Sequence, residues 1–116
     1  MDNKETLEAI ELNIREAKKF VDLADSLDRL KSNKDFKKVI QEGYFEKEAI
    51  RLVHLKADPS MQTAERQQSI ITQMDAIGAL NQYFQSVFFQ ARQAANAIEA
   101  DEETREEILA EELNDE

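Results

Sequence analysis

The stretch DFKKVIQEGYFEKEAIRLVHLKADP, Asp35 to Pro59, decides how the rest of the chain is interpreted. It contains one of the two glycines in the chain, the only histidine and the only proline. Its apolar residues recur in steps of three and four, which is the spacing of one broad helix face. They are Phe36, Val39, Ile40, Tyr44, Phe45, Ala49, Leu52 and Val53. The stretch therefore predicts a central helix, and Pro59 ends it because proline disfavours helical geometry at the preceding Asp58.

Gly43 lies inside this helical pattern, where a glycine costs about 1 kcal/mol relative to alanine. Either a neighbouring helix crosses closely at this point, or the helix bends and restarts at Tyr44. We expect close packing, because the apolar periodicity continues through Gly43 without a shift. Glu48 and Arg51 are three residues apart and are expected to pair on the helix surface.

A long amphipathic segment precedes the central helix. Residues 4–31 predict a first helix capped by Asp2 or Asn3, and Ser32 or Asn33 can cap the helix that follows. Its apolar seam has the spacing of a helix that packs against another helix, and Phe20 and Leu23 are expected to join it from one side. The seam consists of Leu7, Ile10, Ile14, Ala17, Val21 and Ala24.

A third helix is predicted from a cap at Ser60 or Thr63 to about Ala100. Two adjacent apolar stripes run along it, so we expect it to be covered on two sides, by its own chain and by a partner. One stripe is Ile70, Met74, Ile77, Phe84, Phe88, Ala91, Ala95 and Ile98, and the other is Ala76, Leu80, Tyr83, Val87 and Ala94. The candidate partner-binding residues on this helix and the segment after it are Tyr83, Val87, Phe88, Phe89, Ile108 and Leu109.

The acidic residues are concentrated at one end of the chain. Residues 99–116 contain ten acids and one base, so they carry −9 of the net charge of −10. Asp101 can cap a short last helix from Glu102 to Glu112. We therefore expect a helical domain over 1–100 and an acidic C-terminal helix and tail over 101–116. Direct nucleic-acid binding is not expected, because phosphate contacts need a basic surface.

The composition predicts an all-α fold. Two glycines and one proline in 116 residues leave too little turn chemistry for a sheet of short strands. We expect an elongated three-helix unit of coiled-coil character, with two very long helices, a central one and the short acidic helix. The chain has no apolar run long enough for a membrane span. Its N-terminal residues, MDNKETLEAI, lack the apolar region of a signal peptide.

No pattern of chemically active residues predicts catalysis. Cysteine is absent, and His54 has no serine or carboxylate at a spacing that would build a local dyad. The glutamate-x-x-histidine pairs of di-iron bundles and a glycine-rich phosphate loop are also missing. We therefore predict a protein that is not an enzyme, with no catalytic, cofactor-binding or metal-binding residues and no small-molecule substrate.

The central stretch, followed by QQSIITQMDAIGALNQYF at residues 67–84, resembles small, mostly uncharacterised proteins of tailed bacteriophages. The resemblance extends from about Asp28 to Glu112. It implies a helical fold and a place in virion structure or assembly, and it implies no catalytic residue. The expected location is accordingly the host cytoplasm or the phage virion.

Two functions remain open at this point. The first is a helical component of the phage particle or its assembly that binds a protein partner or associates with itself as a homo-oligomer. The second is a phage-encoded inhibitor or regulator of a host protein, which presents its acidic tail as a mimic of nucleic acid. The two apolar stripes of the third helix favour the first, and the charge after Ile98 motivates the second.

Overall fold

The computed structural model describes residues 2–115, and every regular element within that range is helical. The predicted all-α class is therefore confirmed, and so is the division into three main helical segments. Helix α1 is followed by a central segment in which α2, a π-helix and α3 continue one another, then by a 3₁₀ turn and helix α4. Their bounds are Asn3–Lys31 for α1, Lys34–Phe36 for α2, Lys37–Glu48 for the π-helix, Ala49–Ala57 for α3, Pro59–Met61 for the 3₁₀ turn and Ala64–Asn114 for α4.

The helices begin at the capping residues that the sequence predicts. The Asp2 carboxylate accepts a hydrogen bond from the Glu5 N–H at 2.8 Å. The Asn33 side-chain oxygen accepts from the N–H groups of Asp35 and Phe36 at 2.9 and 3.0 Å. The Thr63 hydroxyl accepts from the N–H of a residue in the first turn of α4 at 3.3 Å. Each bond satisfies a backbone donor that has no partner inside its own helix.

The stop after α3 is also where the sequence predicts it. Asp58 has extended geometry, with φ −64° and ψ 127°, as expected for a residue before proline. Its carboxylate accepts hydrogen bonds from the Ser60 N–H at 2.8 Å and the Ser60 hydroxyl at 2.7 Å. The turn is closed further by the side chain of Gln62, which donates to the Lys56 carbonyl at 2.9 Å.

The middle of the central segment is a π-helix of twelve residues, Lys37–Glu48, and not the α-helix that we expected. In a π-helix each N–H bonds to the carbonyl five residues earlier, and most examples are single turns. The expected close helix crossing at Gly43 is wrong. Outside its own turn, a Cβ added there would meet only the Lys38 carbonyl group, with the oxygen at 3.0 Å. The close neighbour is the backbone of the same helix, five residues back.

Helix α4 has 51 residues and continues past the predicted break near Ala100. The expectation of a separate helix from Glu102 is wrong, because Asp101 lies inside α4 and does not cap a new helix. No glycine or proline follows Gly78, and ten of the eighteen residues at positions 97–114 are alanine or glutamate, which favour helix. Nothing in this part of the sequence forces the backbone to leave helical geometry.

The chain divides into two compact units. Unit 1 combines the chain up to Ser26 with the chain from Val87 onward, and unit 2 is Leu27–Ser86. Helices α1 and α4 therefore each contribute to both. The division into a helical domain over 1–100 and an acidic segment over 101–116 stays a prediction.

Unit 1 is an antiparallel pair of helices. Phe20 of α1 shares a groove with Gln90 of α4, and Glu11 shares another with Arg105, so the two chain directions oppose each other. The buried side chains are Ile10, Ile14 and Ala24 of α1 and Val87 and Ala94 of α4. Phe20 and Leu23 do not join this seam as expected. They are 45% and 46% exposed, because they lie beside the seam and not over the opposite helix.

Unit 2 has its core between the central segment and α4. Leu52 is fully buried, Ile70 is 1% exposed, and Ile77 is buried with them. The side chains packed around these three are Tyr44, Phe45, Ala49, Leu55, Met61 and Met74. Val39 and Val53, which the sequence also placed on the packed face, are exposed instead. Only part of the broad apolar face of the central segment is covered by its own chain.

Candidate functional site

Aromatic rings hold the π-helix against α4. The rings of Phe36 and Phe45 both contact the ring of Phe84, with centroid distances of 6.0 and 5.8 Å. Tyr44 extends the group beside Phe45 at 6.0 Å, and Tyr83 extends it beside Phe84 at 6.1 Å. The tilted and edge-on arrangements are those that aromatic pairs prefer. The cluster fixes which side of the π-helix is turned inward.

The shared contact with Phe84 depends on the π-helical geometry. Phe36 and Phe45 are nine residues apart, which is about two and a half turns of an α-helix and would place them on opposite sides. A π-helix has more than four residues per turn, so nine residues make about two turns and return to the same side. Packing on Phe84 and the wider backbone therefore support each other.

A shallow groove lies on the π-helix beside this packing, and Tyr44 belongs to both. It is lined by Val39, Ile40, Gly43, Tyr44 and Glu48. Val39 is 62% exposed, which leaves a β-branched apolar side chain in water. Gly43 contributes no side chain, so the helix backbone is accessible between its neighbours. We call these five residues the π-helix groove.

A charged pair follows the groove at its C-terminal end. The Arg51 side chain donates to the Glu48 carboxylate, with one Nε–Oε2 distance of 3.0 Å, as the sequence predicts. These hydrogen bonds lower the pKa of Glu48 and are the largest influence on it. Partial loss of water raises this pKa, and the positive charge of Arg51 lowers it further. The same hydrogen bonds raise the pKa of Arg51. The pair therefore stays ionised, and it holds Glu48 at the edge of the groove.

The structure does not gather the predicted partner-binding residues on one surface. Tyr83, Phe89 and Leu109 are exposed, Phe88 and Ile108 are partly buried, and Val87 is 4% exposed. Val87 is therefore a core residue of unit 1 and is not available to a partner. Phe89 lies under the guanidinium of Arg92, 6.0 Å from the ring centroid. A partner role for the exposed members stays a prediction.

The residues of the π-helix groove were missed as a site because their spacing was interpreted as α-helical packing. A signal was present, since Phe36, Ile40, Phe45 and Ala49 follow one another in steps of four, five and four. That average exceeds the 3.6 residues of an α-helical turn and suits a wider helix. The signal is weak because the full apolar set, with Val39, Tyr44 and Leu52 included, also contains the α-helical steps of three and four.

The remaining chemistry of the described residues is sparse. His54 is exposed on α3. Between residues 2 and 115, no three side chains of the metal-binding types are grouped closely enough to hold an ion. Within the same range, no helix combines the length and the apolar content needed to cross a bilayer. What the π-helix groove offers chemically is an apolar surface with an ionised edge, which suits contact with apolar side chains of another molecule.

No protein-family model matches the chain, and no match was found among the curated proteins or among the solved structures.

Proposed function

We propose that this chain is a non-catalytic helical protein that binds another protein through the π-helix groove, as a component of the structure or assembly of a tailed-phage particle. The phage setting is supported by the resemblance of residues 28–112 and by nothing else. The binding role is supported by the groove itself. The two parts of the proposal can therefore fail separately.

The observation that carries the binding role is the shallow apolar groove on the π-helix, in which Val39 is exposed beside half-buried neighbours. Hydrogen bonding from residue i to i+5 is uncommon in proteins and is found frequently at functional sites. Here it extends over twelve residues and leaves Val39 exposed beside Gly43. Val39, Ile40 and Tyr44 form one contiguous apolar patch in the groove, and such a patch on an uncommon backbone favours a binding role.

The shape of the groove favours an amphipathic helix as the bound segment. Such helices insert apolar side chains spaced by three, four and seven residues into grooves of this kind. The ionised Glu48 at the edge of the groove selects against an acidic flank on the partner. The expected partner is therefore apolar on one face and neutral or basic beside it.

The groove can be tested with one exposed position inside it and one outside it. Val39→Gln places a polar side chain in the groove. Ile50→Gln makes a similar change at a residue of α3 that is 58% exposed and does not line the groove. Tagged chains are expressed during infection, and their proteins and particles are recovered and quantified by mass spectrometry. We expect Val39→Gln to reduce partner recovery at least about 10-fold, a change of about 1.4 kcal/mol.

Equal amounts of partner recovered with Val39→Gln and Ile50→Gln would exclude the π-helix groove as the binding surface. The phage setting has its own readout in the same experiment, which is the copy number of the wild-type chain in purified particles. A chain that binds a partner but is missing from particles and assembly intermediates would retain the binding role and lose the setting.

A second function, regulation of a host protein by mimicry of nucleic acid, is supported by the helical form of the acidic segment. Residues 101–114 belong to α4, so their carboxylates are spaced along one helix. A chain shortened after Ala100 is expected to lose such a partner, and rising salt should weaken binding by the full-length chain. Binding that survives the deletion and is insensitive to salt would exclude mimicry.

A further inference from the structure

One face of unit 1 is nearly uncharged. It carries Glu16, Phe20 and Leu23 on α1 and Gln90, Gln93 and Ala97 on α4, all of them exposed. We call these six residues the neutral face. In a chain with 34% charged residues it has a single charge, and the Glu16 carboxylate pairs with Lys19 at 3.0 Å. The opposite groove of the same unit is lined by Glu11, Arg15, Lys18 and Arg105 around Ile14.

The neutral face has an exposed aromatic side chain beside an open groove. Five of its residues line an open groove of about 470 Å³ together with Ala17 and Ala94. Three alanines give this groove a shallow apolar lining, and Phe20 stands at its side with 45% of its surface exposed. A two-fold interface requires one patch to complement itself, so that residue i of one copy meets residue j of the other and the reverse. Phe20 and the alanines satisfy that requirement.

We propose that the neutral face binds a second copy of this chain, with Phe20 of each copy packed against the alanines of the other. Two antiparallel helix pairs then form a four-helix arrangement around a two-fold axis, in which small residues allow the helices to approach. The neutral face belongs to unit 1, and the π-helix groove belongs to unit 2.

The chain exposes more surface than a folded monomer of its mass ordinarily does, which favours an interface with a second copy. The single chain exposes 8613 Å², whereas a folded monomer of 13.4 kDa ordinarily exposes about 6500 Å². The difference is about 2100 Å² over the whole chain, and an interface on the neutral face needs roughly 800 Å² per partner.

The distribution of charge favours a copy of this chain over a charged ligand. Two chains of net charge −10 repel each other, but −9 of that charge lies in residues 99–116. Around the groove, residues 87–98 carry only Arg92, and Glu16 is compensated by Lys19. Two neutral faces can therefore meet without like charges in contact, whereas a nucleic acid or a strongly charged protein would find no complementary charge there.

The test is the solution mass of the purified full-length chain, measured by size-exclusion chromatography with light scattering across a dilution series. The wild type is expected at about twice 13.4 kDa, with dissociation on dilution. Phe20→Gln should raise the dimer Kd at least about 30-fold, as for an aromatic residue at the centre of an interface. Ala97→Glu should act in the same direction by filling the hollow with a charge.

Leu113→Gln is the matched control. Leu113 is 72% exposed in unit 1 and follows Arg105, which lines the opposite groove, by eight residues, so the dimer should be unchanged. Circular dichroism establishes that each variant is helical, which is expected because both altered face positions are exposed. A wild type that stays monomeric at high concentration overturns the proposal, and so does a dimer that tolerates Phe20→Gln. Val39→Gln should remain dimeric, which separates this test from that of the π-helix groove.

Discussion

The two glycines of the chain occupy helices of different kinds. Neither has a positive φ, so neither is needed for left-handed backbone geometry. A Cβ at Gly43 would lie 3.0 Å from the Lys38 carbonyl oxygen, a distance shorter than ordinary van der Waals contact. A Cβ at Gly78, in the middle of α4, would meet nothing within 4 Å. The same substitution should therefore have opposite effects at the two positions.

Gly43→Ala is expected to lower the free energy of unfolding by about 1 kcal/mol, because the new methyl group pushes on backbone that the π-helix cannot easily move. Gly78→Ala is expected to raise it by about 0.5–1 kcal/mol, because alanine loses less conformational entropy in an exposed α-helix. Urea titrations followed by circular dichroism measure both values, and Gly78→Ala serves as the control for Gly43→Ala.

A stabilising Gly43→Ala would show that residues 37–48 adopt α-helical geometry in solution. The sign of the change is the informative quantity, since crowding and helix propensity act in opposite directions at this residue. An unchanged slope of the unfolding free energy against urea is needed as well, because a changed slope would indicate a different extent of unfolding.

The sequence predicts the local hydrogen bonds of single residues better than it predicts their burial. The caps at Asp2, Asn33 and Thr63 were predictable, because a side-chain oxygen before a helix has a local partner within three residues. Leu52 and Val53 are adjacent on the predicted apolar face, yet one is fully buried and the other exposed. Which of the two points inward depends on how the central segment is rotated against α4, and local spacing does not contain that information.

At the scale of the helical elements, the π-helix could not be predicted with the α-helical rule that located α1 and α4. A repeat of three and four residues records where side chains point, whereas π-helical bonding is a property of the backbone. The wide spacing of Phe36 and Phe45 becomes informative only when Phe84 is known to contact both. Helix α4 is unbroken for a related reason. Aspartate is a suitable N-cap residue, but Asp101 lies inside α4 because the helix continues through it.

The turn between α3 and α4 should depend on pH through Asp58. Hydrogen bonds from the hydroxyl and the N–H of Ser60 lower the pKa of its carboxyl below the ordinary value in the folded state. A group with a depressed folded pKa stabilises the fold above its unfolded pKa, which is about 3.9 for aspartate, and this contribution is lost as the pH falls through the folded value.

Asp58→Ala removes both hydrogen bonds and should lower the Tm at neutral pH. The difference in Tm from the wild type is expected to be constant from neutral pH down to about pH 5 and to shrink below about pH 4. Thermal unfolding followed by circular dichroism at several pH values checks this. The control is Asp115→Ala, which changes the same residue type outside every helix of the fold. A Tm difference that is independent of pH would mean that the ionised carboxyl does not matter to the turn.

At the scale of the whole molecule, composition was enough to predict the fold class and the number of main helical segments. The scarcity of glycine and proline excludes a sheet of short strands, and the two long amphipathic patterns correspond to α1 and α4. The grouping into units could not be predicted, since unit 1 joins most of α1 to the second half of α4. Contacts between residues so distant in sequence depend on the direction in which each helix runs.

The contact of Phe84 with Phe36 and Phe45 also constrains how the chain can diverge. A smaller residue at position 84 would remove the ring contacts that hold Phe36 and Phe45 on the same side. The substitution would therefore destabilise the backbone of residues 37–48, which is distant in sequence. We therefore expect correlated substitutions at the three positions during evolution, so that a change at one is accompanied by changes at the others. An insertion or deletion within the π-helix would be tolerated only together with such changes.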